Sequence, residues 1–196
     1  MNDEERALIR EAQRGNALAF ETLIRRYDQQ VLQLAYSMVK NMQDAEDIYQ
    51  EVFVRVFKNL SRFHFRSEFS TWLYRVVVNH CLNFQRRQKR RRMFSLQRNG
   101  KSDFDAFSAQ IDGSGKNPEE NVLNSELSAE IETAIEQLSP RQKMVFLLRH
   151  YHGHKLKDIA EMMNCSEGAV KNYLFRATRK MQTLLRAYSN PEGSQS

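Results

Sequence analysis

Residues 63–92 read FHFRSEFSTWLYRVVVNHCLNFQRRQKRRR, and this stretch decides the fold. It opens with aromatic residues around a short polar loop and closes with a run of arginines and lysines. Helical spacing of about 100° per residue sorts its middle part into two faces. The apolar face, typical of a core helix, consists of Leu73, Val77, Cys81 and Phe84. Beside it lies a polar stripe of Trp72, Arg75, Asn79, Asn83 and Arg86.

The polar stripe and the basic run suit a single-stranded or melted nucleic acid. Bases stack on aromatic planes, amides hydrogen-bond base edges, and cations hold phosphates. The alternative is an ordinary core helix with a solvated, charged end. The basic run contains no acidic residue to form pairs within the helix, so it repels itself unless a polyanion binds it.

Composition predicts a soluble all-α protein. The 196 residues are 41% hydrophobic and 28% charged, enough for one domain or two small ones. Seven glycines, three prolines and no alternating pattern argue against a β fold. No apolar stretch is long enough for a membrane span, and the charged start lacks a signal peptide's apolar core, which favours the cytoplasm. Cys81 and Cys165 are interpreted as reduced core residues.

Charge comes in blocks along the chain. Residues 52–100 carry 12 Lys and Arg against one Glu, and residues 140–190 carry 10 against three acids. Residues 101–139 between them carry two bases and nine acids. Two basic blocks separated by an acidic one suggest two sites on one polyanion. Opposite charges also allow a closed form in which the acidic block masks its neighbours.

The N-terminal part predicts three helices before the aromatic loop: Asp3–Arg14, Phe20–Val39 and Asp44–Leu60. The last of them begins with an acidic cluster. Acids in a first turn stabilise a helix through its dipole, and that explains some of them. The alternative is a docking surface for a basic partner, formed by Asp44, Glu46, Asp47, Gln50 and Glu51.

The chain divides into 1–92, a linker 93–121, a second domain 122–188 and a tail 189–196. The second domain ends in KLKDIAEMMNCSEGAVKNYLFRATRKMQ, residues 155–182. The pattern predicts a short helix over 156–163, then a turn, then a helix over 167–185 that Ser166 caps. Together they predict a helix-turn-helix over 156–180. The alternative is a plain αα-hairpin. Its outward side chains suit base edges and phosphates: Lys171, Asn172, Phe175, Arg176 and Arg179.

Catalytic and metal-binding signals are weak. His150, His152 and His154 alternate as metal ligands could, but they straddle a helix end and Gly153. No phosphate-binding glycine loop or nucleophile motif is present. We therefore predict no active site, no metal site and no cofactor.

In this order the parts resemble a bacterial RNA polymerase sigma factor of the extracytoplasmic-function type, in the sigma-70 family. That class has the second and fourth sigma regions, joined by a linker. The resemblance covers most of residues 5–187. It is carried by DAEDIYQEVFVRVFKNL at 44–60, FSTWLYRVVVNHCLNFQRR at 69–87 and LSPRQKMVFLLRHYHGHKLKDIAEMMNCSEGAVKNYLFRA at 138–177. Asp158 departs from the Glu more common in the family and keeps the charge.

The resemblance implies roles for individual residues. Docking on the clamp helices of the largest subunit of core polymerase would fall to Asp44, Glu46, Asp47, Ile48, Gln50, Glu51, Phe53 and Val54. Capture and melting of the −10 element would fall to His64, Phe65, Arg66, Ser67, Phe69 and the polar stripe. Duplex −35 reading would fall to Ser166, Lys171, Asn172, Phe175, Arg176 and Arg179. The linker would thread near the RNA exit path.

The resemblance thus implies a sigma factor that binds core polymerase and promoter DNA, duplex at −35 and melted at −10, and that an anti-sigma factor regulates. The alternative is a stand-alone helix-turn-helix regulator that does not enter the polymerase, which would need neither the acidic helix nor the polar stripe. A metal-dependent enzyme using the histidines is a third hypothesis.

Overall fold

The computed structural model describes residues 1–99 and 118–189, and every regular element in these ranges is helical, which confirms the all-α class. A short 3-10 turn, Leu60–Arg62, precedes the aromatic loop. The helices are α1 (Asp3–Gln13), α2 (Ala17–Arg25), α3 (Asp28–Val39), α4 (Met42–Asn59), α5 (Phe69–Asn99), α6 (Pro118–Glu136), α7 (Pro140–His150), α8 (Leu156–Met163) and α9 (Glu167–Ser189). None of the described helices has the length and apolar character that a membrane span requires.

Helices α1–α5 form a first unit around α5. The predicted apolar face of α5 is buried at Leu73, Val77 and Cys81, and α5 packs on α3 and α4. The side chain of Gln13 joins α1 to the aromatic loop, since its amide nitrogen donates to the carbonyl oxygens of Leu60 (2.9 Å) and Phe63 (2.8 Å). The turn that leads into the loop is therefore fixed to α1.

The prediction of one helix over Phe20–Val39 was wrong. The chain breaks between α2 and α3, where the Tyr27 N–H donates to the Ile24 carbonyl at 2.8 Å. The Tyr27 hydroxyl donates to Glu5 Oε1 at 2.5 Å, and its ring lies 5.6 Å from that of Phe69. These tertiary contacts stabilise a bend at a site that has neither glycine nor proline.

Helices α6–α9 form a second unit. Ser139 caps α7, and its N–H donates to Gln142 Oε1 at 3.1 Å. Asn164 takes a left-handed conformation (φ 50°) between α8 and α9, and Ser166 Oγ accepts from the Ala169 N–H at 3.2 Å. The predicted helix-turn-helix is thus present. In α6 Leu127 is exposed, whereas Ile135 is buried.

The two units pack against each other, with α8 and α7 lying on α5 and α7 also on α3. Helix α5 continues to Asn99, seven residues past the predicted end of the first domain. Most of the predicted linker, residues 100–117, and the tail from residue 190 lie outside the described residues. The division into domains at 92 and 122 stays a prediction.

Candidate nucleic-acid and partner interfaces

The acidic edge of α4 begins at a capped turn. Asn41 Oδ1 accepts from the Asp44 N–H at 2.9 Å, which fixes the first residues of the helix. Of the predicted docking side chains, Asp44 is half-buried and five are exposed: Glu46, Asp47, Gln50, Glu51 and Val54. These six residues are called the acidic edge below. Ile48 and Phe53 point inward and are 1% and 8% exposed, so they support this edge from the core.

A groove of about 280 Å³ separates the acidic edge from α5. Asp44, Asp47 and Glu51 line one wall, and Arg87 and Arg91 of the basic run line the other. The wall of α5 also contributes His80, whose Nε2 lies 2.6 Å from Glu51 Oε2. Sequence reasoning did not assign His80 a role; its helical offset from Asn83 and Arg87 could have placed it there.

The aromatic loop presents polar groups over a cluster of rings. His64 and Arg66 are exposed, and Phe65 is half-buried with a left-handed backbone (φ 55°). A bulky residue in this conformation is strained by about 1–2 kcal/mol. The Phe65 ring lies 5.1 Å from Phe63 and under the Arg10 guanidinium at 5.7 Å. Ser67 is half-buried, while Phe69 is fully buried and supports the loop from below.

The structure places the polar stripe along one side of α5. Arg75, Asn79, Asn83 and Arg86 are exposed, and Trp72 is half-buried with its ring 5.4 Å from Phe63 and 5.7 Å from Phe69. One flat ring and two amides therefore share a face with two guanidinium groups. Such a face can stack and hydrogen-bond unpaired bases.

Helix α9 presents its predicted reading residues to solvent. Lys171, Asn172, Phe175, Arg176 and Arg179 are all exposed, and Ser166 is exposed at the cap. On the opposite face Val170, Ala177 and Met181 are buried. Lys171 pairs with Glu167 at 2.9 Å, and the Arg179 guanidinium lies 5.7 Å from the Phe175 ring. The helix has the polarity required for insertion into a major groove.

Two of the alternating histidines, His152 and His154, contact an aromatic residue of the other unit. His152 Nδ1 lies 3.3 Å from the Tyr74 hydroxyl, and the His154 ring centroid lies 4.6 Å from that of Tyr74. Burial lowers the pKa of His152 to about 4 and also lowers the pKa of His154. Within the described ranges no three His, Cys, Asp or Glu side chains are grouped to hold a metal ion. Sequence reasoning missed Tyr74, which lies between stripe residues and is 1% exposed.

Comparisons with known proteins agree with this geometry. Family models match twice: Sigma-70 region 2 over residues 23–91 and Sigma-70, region 4, over residues 128–181. The sigma factor SigW of Bacillus subtilis is 32% identical over 178 residues, which cover 91% of this chain and 95% of SigW. The chain belongs to the extracytoplasmic-function (ECF) RNA polymerase sigma factors.

Two further relatives of this sigma factor span nearly its whole length. The sigma-E factor of Escherichia coli K12 is 33% identical over 192 residues, covering 93% of this chain and 96% of the relative. The sigma-H factor of Pseudomonas aeruginosa is 31% identical over 189 residues, covering 94% and 97%. These matches confirm the sigma-factor interpretation over the stand-alone regulator.

Solved structures share the fold of this sigma factor. CnrH, solved with the cytosolic domain of CnrY, superposes with a TM-score of 0.67 at 24% identity, covering 94% of this chain and 99% of CnrH. The sigma factor RpoE of Bartonella quintana, solved with the anti-sigma factor NepR, gives 0.63 at 20% identity, covering 85% and 96%.

Proposed function

We propose that this sigma factor supplies promoter recognition to core RNA polymerase and has no active site of its own. The observation that carries the proposal is the separation of three exposed surfaces: the acidic edge of α4, the polar stripe of α5 and the reading face of α9. The first has the charge for a basic protein partner, and the other two have the chemistry for nucleic acid. Polymerase performs the catalysis.

The acidic edge would dock on the clamp helices of the largest polymerase subunit. Asp47 and Gln50 are exposed on it and are the foremost contacts that the family resemblance implies. The groove behind the edge also places Arg87 and Arg91 opposite Asp47 and Glu51. A basic partner would therefore compete with the chain's own arginines for these carboxylates, which favours a partner with several positive charges.

The two nucleic-acid surfaces would divide promoter reading. The loop His64–Ser67 would take a flipped base of the −10 element, and Trp72, Arg75, Asn79 and Asn83 would hold the displaced strand. Capture of flipped bases offsets the cost of unstacking them. Helix α9 would read duplex −35 DNA, and linking two weak binders raises their joint affinity through effective concentration.

Regulation would come from a protein partner. RpoE of Bartonella quintana was solved with the anti-sigma factor NepR, and CnrH with the cytosolic domain of CnrY. We assign this chain a partner of the anti-sigma class and place its action beside polymerase in the cytoplasm.

Run-off transcription tests the proposal directly. Core polymerase would be assayed with and without the protein on a pool of promoter-bearing DNA, and protein-dependent initiation at shared −35 and −10 sequences is expected. Asp47→Arg should abolish polymerase association while duplex binding persists, because it puts a cation against basic helices. Asp3→Arg, with the same charge change at an exposed site on α1, is the matched control.

Two results would count against these assignments. Transcription that survives Asp47→Arg would show that the acidic edge is not the docking surface. If the protein bound duplex DNA but never supported initiation, the proposed sigma activity itself would be wrong.

A further inference from the structure

The contact between the two units is built on a buried tyrosine. The Tyr74 hydroxyl, on α5, donates to Gln30 Oε1 of α3 at 3.1 Å and faces His152 Nδ1 at 3.3 Å. Tyr74 is 1% exposed, so the second unit completes its burial together with the first. Residues 152–154 lie in the turn between α7 and α8, and they are thus the part of the second unit that covers this ring.

The two histidines are poorly placed to carry charge. Their rings stack at 6.3 Å and 14°, so a proton on one disfavours a proton on the other. His154 Nε2 is buried and has no hydrogen-bond partner among the described residues. A protonated imidazole carries an N–H on both nitrogens, so it must place a buried, unpaired N–H at this position, which is costly.

The charged groups around the pair give little compensation. From α5, the Arg75 guanidinium donates to Asn164 Oδ1 at 3.4 Å, and from α7 the Arg149 guanidinium donates to the His154 carbonyl at 3.1 Å. Asp158 of α8 acts in the opposite sense and favours protonated His154. Behind Tyr74, the hydroxyl of Tyr27 is bonded to Glu5 of α1.

We propose that His152 and His154 form a proton-sensitive latch: neutral, they hold the second unit on α5, and protonated, they release it. The proposal rests on the packing of the two rings on Tyr74 and on the unpartnered Nε2 of His154. It does not depend on the promoter-reading roles given above. The name histidine latch is used below for His152, His154 and Tyr74 together.

The direction of the pH effect follows from burial. In the closed form the pKa of His152 falls from 6.5 to about 4, and that of His154 falls as well. Opening returns the rings to water, so the open form binds protons more tightly. Closure is therefore fully favoured above about pH 6.5 and is lost progressively as the pH falls from there towards 4.

Another titratable group at the same contact does not act in this range. Lys143 of α7 is 5% exposed, and its ammonium donates to the Met38 carbonyl at 3.4 Å. Burial lowers the pKa of Lys143 to about 8, with Lys40 adding to the effect and Glu136 and Glu132 opposing it. It remains protonated between pH 4 and 6.5, so its charge does not change over the range in which closure is lost.

Small-angle X-ray scattering of the full chain from pH 7.5 to 4.5, with circular dichroism in parallel, tests the latch. We expect the radius of gyration to rise below pH 6.5 while the helical signal is retained. The double variant His152→Asn/His154→Asn should lose this expansion, because asparagine keeps a polar atom near the position of Nδ1 but binds no proton. His150→Asn, at an exposed histidine on α7, should behave as the wild type.

A second variant keeps the test decisive if the double variant does not fold. Asp158→Asn removes the carboxylate that favours protonated His154 in the closed form, so it should widen the difference in proton affinity between the two forms and shift the opening midpoint to higher pH. Three results would overturn the proposal: a radius that does not change with pH, an unchanged expansion in the double variant, or loss of helical signal at the same pH as the expansion. An unchanged expansion in the double variant would show that carboxylates, rather than the two histidines, cause the opening.

Discussion

The two reading surfaces of this sigma factor are built differently. On α5, Trp72 rests on the buried rings of Phe63 and Phe69, Tyr74 is buried, and Arg75 is bonded to Asn164 of the second unit. On α9, the reading residues are exposed, and the contacts of Lys171 with Glu167 and of Arg179 with Phe175 lie within the helix itself.

This difference separates the two activities. The surface on α9 stays open to duplex DNA while the units are packed. The surface on α5 lies on the same helix as Tyr74 of the histidine latch, and Arg75 must leave Asn164 before it can contact a strand. Duplex reading should therefore be insensitive to closure of the two units, whereas strand capture should depend both on the core beneath α5 and on opening.

The largest expected effect comes from removing the ring beneath the polar stripe. Phe69 is fully buried and contacts the rings of Tyr27, Phe63 and Trp72 at 5.6, 5.6 and 5.7 Å. Phe69→Ala should lower the free energy of unfolding by about 3–5 kcal/mol, because it leaves a cavity in the core. Urea denaturation measures the loss, and binding of a single-stranded −10 oligonucleotide should weaken with it.

Phe175→Ala is the matched control for that change. Its side chain is 61% exposed on α9, so stability should change by no more than about 0.5 kcal/mol while duplex −35 binding weakens. If Phe69→Ala weakened duplex binding as strongly as strand binding, the two surfaces would not be independent.

An intermediate effect is expected at a single reading residue. Arg176 is exposed on α9, and Arg176→Ala should cost about 1–3 kcal/mol in −35 recognition if its guanidinium contacts a base in bidentate fashion. Competition between promoter variants measures this loss base by base. Equal losses on all duplexes would make Arg176 a phosphate contact instead. Arg62→Ala, exposed in the first unit, should leave −35 affinity unchanged.

The smallest effect is expected at an ion pair between the units. Lys40 Nζ lies 2.9 Å from Glu132 Oε2, and the Glu132 side chain is 51% exposed. Glu132→Gln should weaken closure by at most about 1 kcal/mol, and high salt should remove the difference. Scattering at pH 7.5 in low and high salt measures it, with Glu21→Gln, which breaks a pair inside α2, as control. If Glu132→Gln opened the two units by more than this, the ion pair rather than the histidine latch would be the main interaction that holds them together.

Local chemistry was readable from the sequence. The end of α8 and the start of α9 could be predicted from Asn164 and Ser166, because the conformations of these two residues depend on neighbours within a few residues. The polar stripe follows from helical periodicity alone. Glu132 of the acidic block pairs with Lys40, which lies outside both basic blocks, so the masking of those blocks stays a prediction.

Contacts between residues that are distant in sequence could not be predicted from the sequence. The bend at Tyr27 depends on Glu5 and Phe69, which lie 22 and 42 residues away, and Tyr74 meets His152 across 78 residues. Apolar residues were ambiguous for a different reason. Ile48, Phe53 and Val54 were assigned to one docking surface, but helical geometry turns the first two into the core and the third outward.

The position of Trp72 has a practical consequence. The chain contains one tryptophan, and the structure places it in the polar stripe, half-buried against Phe63 and Phe69. Its fluorescence therefore originates from a single known point on the protein. A base that stacks on the indole would quench that emission, so the unlabelled protein can report strand capture in real time during promoter melting.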